Sequence, residues 1–337
     1  MAVLLGAQFA SMGVAGRDHR RYAQDLLSPV RVLPFLRDPR IVHMGLNRLS
    51  PDLWLQDCPR LPHYHHNKLS ARRRLGDRVF AQLPSSLPAQ RELVALLAQH
   101  LRQHHPAYHF ESSGGLAWQH RADCLRWGGP AAAMGSDEPL WNASLWVADD
   151  LCLLMPGEHG YTLVAASLAA PSYWRLEEKI GQPLAEIHRP VPGFAEKIGA
   201  QVARFFDHLL PEFPVWRGNW SVVDSAELLH RGEGSEADSE EDEDREENRD
   251  EDRREVEKSL FLRVERQSLR RLPQTGAVVF SIRVMINPLE DLLGVPGALR
   301  QLQAAVASMS PEESRYKSIA PFRHQLEAFF AAHLAPS

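Results

Sequence analysis

Long apolar runs are absent from this chain. Nowhere in its 337 residues does a stretch reach the ~20 apolar residues that a membrane-spanning helix needs, so no membrane partner is expected. Met1–Gly16 is apolar enough to resemble a signal core. It lacks a basic flank and contains Gln8 and Ser11, so it reads as an N-terminal extension. Cysteine is scarce. Cys58, Cys124 and Cys152 are the three, far apart and without C-x-x-C or ferredoxin-type spacing. That excludes a disulfide scaffold, a covalently attached c-type haem and an iron–sulfur cluster carried by this chain. The three read as buried, reduced thiols of a cytoplasmic protein. A G-x-G-x-x-G loop is missing too, and with it the dinucleotide-binding fingerprint.

Excess charge of one sign is missing from most of the chain. The formal charge of −5 is concentrated in residues 233–257, where fifteen Asp and Glu stand against four Arg, a local charge of −11 that leaves +6 elsewhere. Scattered basic residues at that level do not make a nucleic-acid footprint, and no nucleic-acid partner is expected. The acidic segment holds too little apolar surface to offset its ordering cost, so it is expected to be a disordered, solvated insert.

What is present is organised around Trp174–Trp220. Apolar residues recur at Phe194, Ile198, Val202, Phe205, Phe206 and Leu209, one face of a long helix. Before it, Ile187-His188-Arg189-Pro190-Val191-Pro192-Gly193 forms a short loop stiffened by two prolines, which holds His188 between helices. Upstream, Pro88–Gln103 has helical spacing, and Ser144–Val147, Leu151–Met155 and Tyr161–Ala166 read as strands. Downstream, Pro214–Val223, Phe261–Leu269 and Gly276–Ile286 read as strands, followed by helices at Pro296–Ser308 and Tyr316–Leu334. Hairpins, helices and three further strands predict an α+β fold, an antiparallel sheet with helices on one face. The expected divisions are the 1–16 extension, a helical and loop region over 17–135, the core over 136–295, and C-terminal helices over 296–337.

Charges inside strands draw attention. Glu265, Arg266 and Arg283 lie in strand-like segments, where unpaired charge is costly; they must pair with one another, hold an anionic group or face a polar pocket. His63, His65 and His66 form an H-x-H-H run with no spaced carboxylate or thiolate partner, which favours a polar loop over a metal site. Trp141, Trp146, Trp174 and Trp220 serve equally as core or as pocket lining.

Several uncommon residues recur in an ordered pattern. Trp174 with Glu178-Lys179-Ile180-Gly181, Ile187-His188-x-Pro190-Val191-Pro192-Gly193, Arg217-x-Asn219-Trp220, Arg263-Val264-Glu265-Arg266-Gln267 and Thr275–Arg283 resemble the haem-dependent oxidative N-demethylase alpha-subunit family, dimethylamine monooxygenase-like, over roughly Arg40–Ala332. The resemblance implies a haem-binding PAS-like sheet with N- and C-terminal helical additions. It also implies an O2-dependent monooxygenase acting on a small amine, with haem b as cofactor and electrons from separate flavin and iron–sulfur reductase subunits. Carried onto this sequence, it makes His188 the metal ligand, its second nitrogen bonded to a carbonyl or a carboxylate such as Glu186. Glu265 and Arg266 become candidate catalytic residues, for the amine and for bound O2. Arg217, Asn219 and Arg283 become candidate cofactor-binding residues. Alternative readings are a PAS-type haem gas sensor and a haem-free interaction module in which His188 is structural and the acidic loop recruits a partner.

Overall fold

The computed structural model describes residues 33–36, 45–191, 199–231 and 260–334. The extension over 1–16, the start of the expected long helix at 194–198 and the acidic insert lie outside the described residues. Seven strands form one antiparallel sheet: β1 (Asn47–Arg48), β2 (Phe80–Gln82), β6 (Asp150–Gly157), β7 (Gly160–Ser167), β8 (Val215–Val223), β9 (Phe261–Arg271) and β10 (Val278–Pro288), in the order β1-β8-β9-β10-β6-β7-β2. A separate three-stranded sheet contains β3 (Tyr108–Phe110), β4 (Leu116–His120) and β5 (Asp123–Trp127).

Two hairpins build the large sheet. β6 and β7 meet at Gly157↔Gly160. β9 and β10 run in register from Val278↔Arg271 to Pro288↔Phe261. The β9–β10 turn places Gly276 at φ 70, a left-handed conformation that glycine adopts without penalty. Glu92, on the helix Leu87–His104, accepts hydrogen bonds from Gln274 N at 2.6 Å and Thr275 N at 2.8 Å, which fixes this tip. β8 and β9 are antiparallel neighbours ending at Val223↔Phe261. The acidic insert therefore belongs to the connection between two paired strands, as its position in the sequence predicts.

Alternation along the strands gives the sheet two unlike faces. One face carries Leu151, Leu153, Val279, Leu262 and Val264, which pack in two cores. The first contains the amphipathic stripe Leu93, Leu97 and Leu101 of Leu87–His104. The second contains Leu299, Leu302 and Val306 of the helix Ala298–Ser308. The other face carries Cys152, Leu154, Leu269 and Val278 against Leu176, Ile187, Phe206 and Leu209. The helices between β7 and β8 thus cover one face, joined at its Val223–Phe261 end by Leu61 and Tyr64 of the helix Leu61–Leu75, while the other face is filled by N- and C-terminal additions.

Several expectations are corrected. Ser144–Val147 is not a strand; it ends the helix Pro139–Ser144 and enters a turn. Residues Leu140–Val147 are buried on nearly every side, so they show no period, and an apolar run without period cannot be told from a strand. The carbonyls of Ser144, Val147 and Asp149 are satisfied by Lys68 Nζ at 2.8, 3.1 and 2.6 Å instead of by a neighbouring strand. His63, His65 and His66 lie on the helix Leu61–Leu75, with Tyr64 buried between them. The helix expected over Tyr316–Leu334 is broken: Pro311–Tyr316 stops before Lys317, and Arg323–His333 starts anew. Cys124 is exposed, while Cys58 and Cys152 are buried. Among the described residues no helix is long and apolar enough to cross a membrane.

Candidate functional site

The stretch that carries His188 is tied to the free part of β7. Gly181 N donates to Leu163 O at 2.8 Å, and Leu163 N donates to Gln182 O at 3.1 Å. Gly181, at φ 78, allows the reversal. The short helix Leu184–Ile187 follows Pro183, with Ile187 in the core and His188 at its C-terminal end. His188 Nδ1 lies 2.9 Å from Leu184 O. A carbonyl can only accept, so Nδ1 carries the proton and the imidazole lone pair resides on Nε2. Burial holds the imidazole below its ordinary value, with Arg217 and Lys179 acting the same way and the Leu184 carbonyl opposing them. His188 is therefore neutral at neutral pH. Glu186 is not its partner; that carboxylate pairs with Arg189 at 3.1 Å.

On the same side as this stretch, the sheet presents a half-buried floor. Three rows cross its central strands: Phe280–Leu269–Val215, Ile282–Gln267–Arg217 and Val284–Glu265–Asn219. Phe280, Ile282, Gln267, Arg217, Glu265 and Asn219 are only half-buried, although β9 and β10 lie in the middle of a seven-stranded sheet. Their neighbours on the opposite face, Val279, Ser281, Arg283, Arg266 and Ser268, are buried. The floor grades from apolar at Phe280 to charged at Glu265. Trp174, Ile180 and Val202 are half-buried against the same core.

Glu265 is held by several donors. Asn219 Nδ2 donates to Oε2 at 3.1 Å and Gln267 Nε2 at 2.9 Å, while Arg263 Nε stands 3.4 Å from Oε1. Burial pushes its carboxyl up, but Arg263, Asn219, Gln267 and Lys317 outweigh it and leave the group below its ordinary value. It is an anion at neutral pH. Arg217 keeps a buried Nε with no hydrogen-bond partner, an unspent donor facing the floor.

The sheet does not bring all the sequence-predicted residues together. His188, Arg217, Asn219 and Glu265 share one side. Arg266 and Arg283 are cross-strand partners on the other. Arg266 donates to Trp54 O at 3.0 Å and Leu53 O at 2.6 Å; Arg283 donates to Cys58 Sγ at 2.6 Å and stacks over Tyr64. Of the four tryptophans, Trp174 lies on the His188 side, and Trp141, Trp146 and Trp220 pack in the opposite cores. Sequence reasoning missed Arg263, Gln267 and Lys317. The first two were legible, because period-2 alternation puts them on the face of Glu265.

In this α+β protein a half-buried, neutral histidine thus stands on the same side of the sheet as Arg217, Asn219 and Glu265. Residues 45–327 match the family described as haem-dependent oxidative N-demethylase, alpha subunit-like, and the chain belongs to that family.

Proposed function

We propose that this chain is a haem-dependent monooxygenase that demethylates a small secondary amine of the dimethylamine type. O2 is the co-substrate, and electrons come from a separate reductase. The observation that carries the reading is the neutral His188, its Nδ1 committed to Leu184, on the same side of the sheet as the half-buried Arg217, Gln267 and Glu265.

The residues present fit a haem. His188 Nε2 is the nitrogen suited to iron, with Leu184 O fixing the ring as a supporting acceptor does for other metal-bound histidines. Phe280 and Ile282 supply apolar surface for a flat macrocycle, and the partnerless Nε of Arg217 suits a propionate. The succession of a hairpin, a helical crossover and three meandering strands, with β6 and β10 side by side, supports the PAS-like reading.

When bound, haem supplies the dioxygen chemistry, and the overall change balances as dimethylamine, O2, two electrons and two protons giving methylamine, formaldehyde and water. The chain's own residues position the amine. Glu265 Oε2 already accepts from two amides, so Oε1 is the oxygen with capacity for a substrate N–H. As an anion it attracts the ammonium form and orients it through an N–H donated to Oε1. Arg266 and Arg283, behind the sheet, support the N-terminal layer in this reading and do not touch substrate. The alpha-subunit description of the family supports partner subunits as the electron source.

The purified protein should show a Soret band that His188→Ala removes while the circular dichroism is retained. With an artificial reductant and O2 it should release formaldehyde from dimethylamine. Glu265→Gln should lower turnover about 100-fold with haem content unchanged. A protein that takes up no haem overturns the reading.

A further inference from the structure

The C-terminal additions send one side chain into the Glu265 site. Lys317 is 6% exposed, and its Nζ donates to Asn219 Oδ1 and, at 3.0 Å, to Trp220 O. Asn219 passes the contact on, since its Nδ2 donates to Glu265 Oε2 at 3.1 Å. The amide is thereby oriented from both ends: its oxygen must face the ammonium and its nitrogen the carboxylate. The bridge uses Asn219 Oδ1 and one N–H of Nδ2, and the second N–H is the donor it keeps for a cofactor.

The backbone around Lys317 supports a dedicated role. A capping box of Ser310 and Glu313 starts the helix Pro311–Tyr316. The chain then stops that helix with Ser318 at φ 55, a left-handed conformation costly for any residue but glycine. Ile319 N closes the end on Ser314 O at 2.9 Å. Lys317 itself still closes the helix, its N donating to Glu313 O at 2.9 Å, and from that last turn its side chain reaches Asn219. The charged and titratable groups that bear on Lys317 are Arg217 from β8, Glu265 from β9 and Glu313 from its own helix. Tyr316 bears on Glu265 and Arg217.

We infer that Lys317 is a positioning residue that, through Asn219, keeps Glu265 ionised and oriented for the amine. The inference rests on the role given to Glu265 above, and it assigns to the C-terminal region a part of the site that no local sequence motif announces. It also gives the site a graded electrostatic arrangement. Arg263 balances the carboxylate at Oε1, Lys317 supports it remotely through Oε2, and Oε1 is left to meet the substrate.

Infrared difference spectroscopy of the full chain tests this, because a protonated carboxyl group absorbs apart from a carboxylate. Lys317→Gln keeps a donor for Asn219 and removes the charge; Lys317→Arg keeps the charge. In Lys317→Gln the Glu265 titration should move up by about one pH unit, a tenfold change in the protonation equilibrium. The new carboxyl band should vanish in the Lys317→Gln, Glu265→Gln double variant. Lys317→Arg should titrate like the wild type. A purely structural lysine would lower stability in one or both variants without moving the band, and that result overturns the inference. Should Lys317→Gln fail to fold, Lys317→Met removes the charge at similar volume and must move the Glu265 titration the same way; no shift there is equally fatal. If the band moves while Glu265→Gln retains full demethylation, Lys317 governs Glu265 as inferred and the role of Glu265 in turnover is what fails.

Discussion

Replacing Arg263 with methionine isolates the charge balance of the site. Its side chain is 0% exposed. It donates to Leu228 O at 3.1 Å, to Ala170 O, and lies 3.4 Å from Glu265 Oε1. Methionine of similar length fills the space but strands a carboxylate that is only 15% exposed. Breaking one side of a buried ion pair costs about 3–5 kcal/mol, so Arg263→Met should lose about 4 kcal/mol. Glu265→Gln is milder, because Arg263 keeps two carbonyl acceptors and glutamine can still accept from Asn219; about 1–2 kcal/mol is expected. In the double variant no charge is stranded, and the losses should fall short of additivity by about 2 kcal/mol. Urea unfolding of the four proteins, compared at constant m, measures this coupling. Additive losses, or an Arg263→Met protein within about 1 kcal/mol of wild type, would refute the claim that Glu265 is a buried anion held by Arg263.

Two lysines predict a pH dependence. Burial depresses both Lys68 and Lys317 to about 8 from the ordinary lysine value of 10.5. A depressed lysine carries its full penalty below its folded value and sheds it as pH climbs toward the unfolded one. The advantage of wild type over Lys68→Met should therefore grow, by up to about 3 kcal/mol, between pH 8 and 10.5; an advantage that shrinks over this window contradicts the burial argument. At neutral pH Lys68→Met should itself be destabilised by several kcal/mol, since three carbonyls lose their donor. Thiol labelling offers an independent check on packing. Cys124 alone is exposed and should react in the native protein, whereas Cys152, its thiol pushed up by burial and by Asp150, should react only on unfolding. Native labelling that survives Cys124→Ser would show the buried cores to be open.

Much of the fold is written in local patterns. Strands β9 and β10 and the helix at Leu87–His104 are legible because one buried face imposes a period of two or of 3.6. His188 is legible because prolines frame it and its neighbours form an ordered pattern. The failures share another cause. The turn after Ser144 is stabilised by Lys68, 76 residues upstream in sequence, and no window around Ser144 contains that information. The ammonium of Lys317 likewise finds an acceptor on Asn219, 98 residues away. Both are cases in which a buried amine satisfies distant backbone or amide oxygens, and such a demand is invisible until the chain is folded.

The clearest limit on local reading concerns Glu265 and Arg266. Adjacent in sequence, they suggest one acid–base pair in one pocket. In a strand, adjacency means opposite faces, so the carboxylate turns toward His188 and the guanidinium toward Trp54. The register then extends the separation across strands: Asn219 and Val284 join Glu265, while Gly218 and Arg283 join Arg266. One face thus gathers Arg217, Gln267 and Glu265 on a half-buried floor. The other gathers Arg266 and Arg283 into a closed layer that anchors the N-terminal region. A single-residue slip of β9 would exchange the two sets and bury Glu265 against Trp54. The cross-strand pairing that fixes the sheet therefore also decides which charges can meet a substrate.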